Sequence, residues 1–194
     1  MWITIALLPI GYALGMFPSA LLIAKSRGID IMTAGSGNPG ASNVIRVLGW
    51  RLGALVMLSD FVKGTIAAGM GLGAGGRAGA YALGVAAVVG HTFPILRKGG
   101  KGVAAAGGML VVLYPVIVLV LAVAWVVISK VAKKASIASL VIIVAFPVAV
   151  GLRGYDGWEI GVISVIAGLL VLRHAGNIKR LVRREENDLT PKAA

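Results

Sequence analysis

Apolar stretches run along the chain near residues 2–24, 52–74, 78–96, 103–129, 136–152 and 158–172, separated by short polar segments. Most approach the roughly 20 residues that a helix needs to cross a bilayer. The pattern predicts an all-α, polytopic integral membrane protein whose single domain covers 1–194. The first stretch begins at Met1-Trp2-Ile3 with no basic lead-in. It therefore reads as a retained span rather than a cleaved signal peptide.

The basic residues decide how many times the chain crosses. Six single crossings with the N-terminus outside would leave eight Lys and Arg inside and ten outside, an even split that the positive-inside bias disfavours. A double crossing of 103–129 moves the Lys130–Lys134 cluster and the C-terminal tail inside. Sixteen basic residues then face inward, against Arg77 and Arg153 outside, with Lys63 inside a span. Gly107, Gly108 and Pro115 are the candidate dividers, and short helices are tolerated where protein or a polar cavity satisfies their ends. The reading is seven crossings, some short or broken, with the N-terminus outside and the C-terminus cytoplasmic. It puts the polar loops 25–51, 97–102, 130–135 and 173–194 on the cytoplasmic side.

Composition narrows the class. With 58% hydrophobic and 13% charged residues, a soluble domain of this length would carry apolar surface it has no means to bury, so the excess faces lipid. The net charge of +12 sits between apolar runs, a pattern that fits headgroups rather than nucleic acid. There is no cysteine, which removes disulfides, thiolate metal sites and cysteine nucleophiles. Two histidines and few acids make no convincing metal site.

Chemistry concentrates in the polar segments. Gly99-Gly100-Lys101-Gly102 offers backbone N–H donors and an ammonium, a combination suited to phosphate. Gly35-Ser36-Gly37-Asn38-Pro39-Gly40 leads through Asn43 to Arg46, a bidentate phosphate anchor, or else is a turn into a helix capped by Ser42. The spaced glycines there match a dinucleotide pattern, but no strand–helix unit surrounds them. Asp60 and Lys63 lie three apart within an apolar run, at a cost of about 2.5–3.5 kcal/mol each on insertion scales. They pair structurally, position a loop or attract an anion. His91 lacks the aspartate five residues on that soluble glycerolipid acyltransferases use, since Leu96 stands there. A Walker A loop is also missing, because Gly102 follows Lys101. His174 and Asn177 share a helical face, with Lys179, Arg180, Arg183 and Arg184 reading as headgroup contacts. Ser136 and Ser139 read as helix-start residues.

Taken in order, GSGNPGASNVIRVLG, DFVKG, GHTFPILRKGGKG and RHAGNIKRL resemble the bacterial acyl-phosphate:glycerol-3-phosphate acyltransferases, the PlsY family. The resemblance covers nearly the whole chain and implies a seven-span enzyme of the bacterial inner membrane. Its members move a fatty acyl group from acyl phosphate to the 1-hydroxyl of glycerol 3-phosphate, giving lysophosphatidic acid and inorganic phosphate in phospholipid biosynthesis. By motif, it implies substrate-binding roles for Ser36, Asn38, Asn43, Arg46, Lys63, His91, Gly99, Gly100, Gly102 and Ser136. Lys101, His174 and Asn177 are the implied catalytic set. Pro39 stands where the family commonly has an aliphatic residue, and Ser42 where it has Thr. After Arg180 the family usually has Gly-x-Glu, against Arg183-Arg184-Glu185 here.

Acyl phosphate is already activated, so no covalent acyl-enzyme, cofactor or metal is expected. The partners are the two substrates and the bilayer, with no nucleic acid and no obligatory protein partner. The task reduces to holding two phosphates, aligning a hydroxyl with a carbonyl and stabilising an oxyanion. Asp60 is the only acid within a resembling motif, so the expected proton acceptor is the donor's phosphate, with His174 as positioner. An organic-phosphate transporter is the competing class, since a basic pocket among broken helices also describes a binding site.

Overall fold

The computed structural model describes residues 2–95 and 97–190. Met1 and Leu96, both named above, lie outside the described residues. The described chain is all-helical: α1 (Trp2–Gly15), α2 (Ser19–Lys25), α3 (Ala41–Leu48), α4 (Trp50–Thr92), α5 (Val103–Val111), α6 (Pro115–Ala132), α7 (Ala135–Leu152), α8 (Gly157–Arg173) and α9 (Ala175–Val182). It divides into two compact units, the first running to Tyr114 and the second spanning Pro115–Leu189.

In the first unit, α1 and α2 are one apolar stretch interrupted at Pro18. Proline has no N–H to continue the ladder and pushes the preceding residue out of the helical region, leaving the Phe17 carbonyl available to side chains. The long α4 folds back on itself at Gly75 and Gly76, where the backbone leaves the helical region and Gly76 takes φ 61°. Gly71 and Gly79 press together so closely that a Cβ on either would overlap the other's carbonyl. Eight residues along a straight helix would separate them by roughly 12 Å. The two arms correspond to the stretches read at 52–74 and 78–96.

Small residues set the helix contacts. A Cβ on Gly15 would strike the Ala87 carbonyl and one on Gly90 the Tyr12 carbonyl, which locks α1 against the second arm of α4. Gly64 and Gly108 make equivalent approaches between the first arm and α5, against Ala105 and Phe61. Lipid supplies no hydrophobic drive between helices, so such close backbone packing holds them together. The break between α5 and α6 falls at Val112–Tyr114, just before Pro115. Gly107 and Gly108 do not divide the stretch as expected. They lie inside α5 and pack on Phe61.

In the second unit, α6 and α7 pair and α8 follows α7, with Trp125 Nε1 donating to Ser139 Oγ at 3.0 Å. Helix α9 leaves α8 at a 56° bend. It ends in a Schellman motif, in which Glu185 N–H reaches the Arg180 carbonyl and Arg184 N–H the Leu181 carbonyl. Arg184 occupies the left-handed position at φ 60°. The tail then returns to the start of α7, where Leu189 N–H donates to the Lys133 carbonyl at 2.7 Å.

By length and composition, Trp2–Lys25, Trp50–Thr92, Pro115–Ala132 and Ala135–Leu152 are each able to cross a membrane. The bent pair Gly157–Arg173 and Ala175–Val182 adds a fifth candidate.

Candidate functional site

Each unit buries a polar cluster around a carboxylate, Asp60 in the first and Glu186 in the second. In the first, Asp60 Oδ1 accepts from Ser19 Oγ at 2.7 Å and pairs with Lys63 Nζ at 2.9 Å. The i,i+3 spacing puts Asp60 and Lys63 on one face of α4, and both are buried. Lys63 Nζ also lies 2.7 Å from His91 Nδ1 and 3.3 Å from the Phe17 carbonyl that the Pro18 break releases.

The glycine loop is laid against this cluster. Gly100 N–H donates to the His91 carbonyl at 3.1 Å. A Cβ on Gly99 would strike the Thr92 and His91 carbonyls, and one on Gly100 the His91 ring at Nε2. Gly102 turns the chain into α5 with φ 86°. Ser19, Asp60, His91, Arg97, Lys98, Gly99 and Gly100 line a small open pocket, with Pro39 from the preceding loop. Among the described residues, the cations lining it are Arg97 and Lys98. Lys101, read above as the catalytic cation, is half-buried three residues beyond Lys98.

Asn43 shapes the loop from Ile31 to Gly40. Its Oδ1 accepts from Ser36 N–H at 2.8 Å, and its Nδ2 donates to the Ala34 and Ile31 carbonyls at 3.0 and 3.3 Å. The side chain is buried and braces this loop. Helix α3 starts at Ala41 with Gly40 at its N-cap, so Ser42 is inside the first turn and is not the cap. Ser36, Asn38 and Arg46 are half-buried around the same loop. Lys98 Nζ donates to the Gly37 carbonyl at 3.4 Å, joining the two glycine loops.

The second cluster forms around Glu186, whose side chain is 1% exposed. Its Oε1 accepts from Ser136 Oγ at 3.0 Å and Asn177 Nδ2 at 2.7 Å, while Oε2 accepts from Arg180 Nε at 2.8 Å. Lys134 Nζ holds the turn by donating to the Glu186 carbonyl and Asp188 Oδ1, both at 2.8 Å. Buried His174, at the bend between α8 and α9, lies with Nδ1 2.8 Å from the Leu170 carbonyl. The structure thus brings together Ser136 and Asn177, 41 residues apart, through a carboxylate that the sequence reading passed over. Arg180, read as a headgroup contact, instead pairs with that carboxylate.

Residues 5–184 match the glycerol-3-phosphate acyltransferase family. The chain belongs to this family. It is 38% identical over 192 residues to the glycerol-3-phosphate acyltransferase of Rhizobium meliloti (strain 1021), covering 97% of this chain and 94% of the relative. It is 37% identical to that of Bacillus cytotoxicus, with 96% and 95% covered. A crystal structure of PlsY, an integral membrane glycerol 3-phosphate acyltransferase, in its glycerol 3-phosphate form superposes with a TM-score of 0.90 at 34% identity. It covers 95% of this chain and 94% of that one. The lysophosphatidic acid form superposes with a TM-score of 0.87 at the same identity and coverage.

In the tail, Arg184 takes the left-handed position that usually favours glycine. Of the two acids that follow it, Glu186 is buried and Glu185 is exposed.

Proposed function

We propose that the chain transfers a fatty acyl group from acyl phosphate to the 1-hydroxyl of glycerol 3-phosphate, giving lysophosphatidic acid and inorganic phosphate. The observation that carries this reading is the Gly99–Gly102 loop, folded onto His91 beside a pocket lined by Arg97 and Lys98. Backbone N–H groups and cations at a loop between apolar helices suit the phosphate of an amphiphile. Membership in a glycerol-3-phosphate acyltransferase family supports the acceptor.

The hydroxyl oxygen of glycerol 3-phosphate attacks the acyl carbonyl carbon. The bond from that carbon to the phosphate oxygen breaks, and the departing phosphate carries away the hydroxyl proton. No acyl-enzyme is needed, because the mixed anhydride is already activated. The Gly99–Gly102 loop with Lys101 holds the acyl-phosphate group, and Ser36, Asn38 and Arg46 hold the acceptor's phosphate. Asn43 supports this work by bracing the loop. In the second unit, Glu186 orients Ser136 and Asn177; Asn177 keeps its second Nδ2 proton for a substrate oxygen, and His174 acts as positioner. No metal or cofactor takes part. The chain crosses a bacterial inner membrane seven times as one functional domain, and the chemistry faces the cytoplasm.

Phosphate release by the purified protein from palmitoyl phosphate, with and without glycerol 3-phosphate, tests the reading. Release that requires both substrates and yields lysophosphatidic acid is the expected result. Turnover with palmitoyl-CoA alone would keep acyl transfer and discard the donor assignment.

A further inference from the structure

The cluster beside the glycine loop contains a hydrogen-bond constraint that fixes the chemistry of His91. An ammonium has three protons and no lone pair. Around Lys63 Nζ stand three acceptor positions, Asp60 Oδ1 at 2.9 Å, His91 Nδ1 at 2.7 Å and the Phe17 carbonyl at 3.3 Å. The carboxylate and the carbonyl only accept. Each proton therefore has one destination, and the third is the lone pair of His91 Nδ1.

We infer that Lys63 is a positioning residue, which holds His91 as the neutral Nε2–H tautomer and so turns a hydrogen-bond donor toward the glycine loop. The Nε2 edge lies where a Gly100 Cβ would stand, and the ring borders the pocket lined by Arg97, Lys98 and Gly99. A neutral N–H beside a loop of backbone N–H groups adds a donor for an anion without adding a titrating charge. Lys63 itself, read from the resemblance as a substrate ligand, has its three protons directed inward. Asp60 is the second element of the device. Its Oδ1 lies 3.6 Å from His91 Nδ1, so without the ammonium it would draw a proton onto that nitrogen and reverse the tautomer.

His174 supplies a built-in contrast. Its Nδ1 faces the Leu170 carbonyl at 2.8 Å, which accepts only, so Nδ1 carries the proton there. The two histidines of the chain are thus expected to differ in a single spectrum.

The role of the donor rests on the loop being an anion site, whereas the tautomer is measured independently. Nitrogen NMR of protein labelled with ¹⁵N-histidine in detergent micelles reads both rings. The wild type should show His91 as Nε2–H and His174 protonated at Nδ1. Lys63→Met should move the His91 proton to Nδ1, or give the imidazolium, while His174 keeps its signature as a fold control. Asp60→Asn keeps the ammonium in place and should leave His91 as Nε2–H, so the wild type and this variant carry the test if Lys63→Met fails to fold. Wild-type His91 protonated at Nδ1, or an Nε2–H form that survives Lys63→Met, would overturn the inference. With the tautomer established, inorganic phosphate, which shares the leaving group's chemistry, should shift the His91 Nε2 resonance when added to the wild type. An Nε2–H ring indifferent to it would uphold the tautomer and overturn the donor role. Lys63→Met should lower kcat/KM about tenfold or more, the scale of one lost donor to a charged group.

Discussion

Asp60 and Glu186 are both buried carboxylates that accept from a serine hydroxyl and pair with a cation, yet they are built in different ways. Asp60 finds its cation one helical turn away on α4, and the whole pair is enclosed between helices. Glu186 belongs to a tail that leaves α9 through a left-handed residue and folds back onto α7. Its cation, Arg180, keeps about a third of its side chain in contact with the surroundings, 35% against 6% for Lys63. Two clusters of similar inventory should therefore respond differently when the acid is removed. Breaking an enclosed pair strands a charge, and breaking a half-open one lets the charge find water.

The largest effect is expected for Asp60→Ala, which leaves the Lys63 ammonium buried without its counter-charge at a cost of about 3–5 kcal/mol. SDS-titrated unfolding in mixed micelles should register it. The double variant Asp60→Ala/Lys63→Met should recover most of the loss, because an apolar pair of similar volume often replaces a buried ion pair at little cost. Glu186→Ala should cost less, on the order of 2–3 kcal/mol, because Arg180 is able to turn outward while Asn177 and Ser136 lose an acceptor. Equal losses at the two sites, or the reverse order, would sink the distinction between enclosed and half-open pairs.

This contrast also explains what the sequence discloses. The spans are legible from hydropathy, the fold-back of α4 from the gap between the stretches at 52–74 and 78–96, and the break before α6 from Pro115. Asp60 and Lys63 announce themselves because charges inside an apolar run stand out and because three residues define one helical face. Ser19 does not, since 41 residues separate it from Asp60 and only packing brings α2 to α4. Glu186 is 50 residues from Ser136, and nothing in an acidic, polar tail sets it apart from Glu185 until the left-handed turn assigns one inward. Gly107 and Gly108 read as breakers for a similar reason. Glycine marks turns and tight helix contacts alike, and lipid-embedded helices favour the second use.

Two alanine substitutions carry the comparison to the glycines. Gly100→Ala places a methyl group against the His91 ring, which Lys63 holds in place, so the loop has to move. Overpacking of this kind costs about 1–3 kcal/mol, and displacement of the loop should reduce kcat/KM for acyl phosphate about tenfold or more. Gly176 in the second unit meets only the tip of Arg180, at 3.6 Å. Gly176→Ala should be neutral or stabilise α9 by roughly 0.5–1 kcal/mol, with activity retained. Parallel phosphate-release assays separate the two cases, and a tolerated Gly100→Ala would mean the loop need not lie against His91.

The smallest effect is expected at the turn that delivers Glu186. Helices α2 and α7 end in the same geometry as α9, with a left-handed residue followed by the long return hydrogen bond, and they place Gly28 (φ 70°) and Gly154 (φ 72°) there. Helix α9 places Arg184, whose Cβ crowds the backbone in this conformation at a cost of roughly 1–2 kcal/mol. Arg184→Gly removes that crowding but also gives the unfolded chain more freedom, an opposing term of about 0.5–1 kcal/mol. The net expectation is a gain of up to about 1 kcal/mol in the SDS titration, with Glu186 still buried and activity unchanged. A loss of stability would mean that the arginine side chain holds the tail by contacts that outweigh its backbone strain, and the register of the returning tail would then depend on that side chain rather than on the turn.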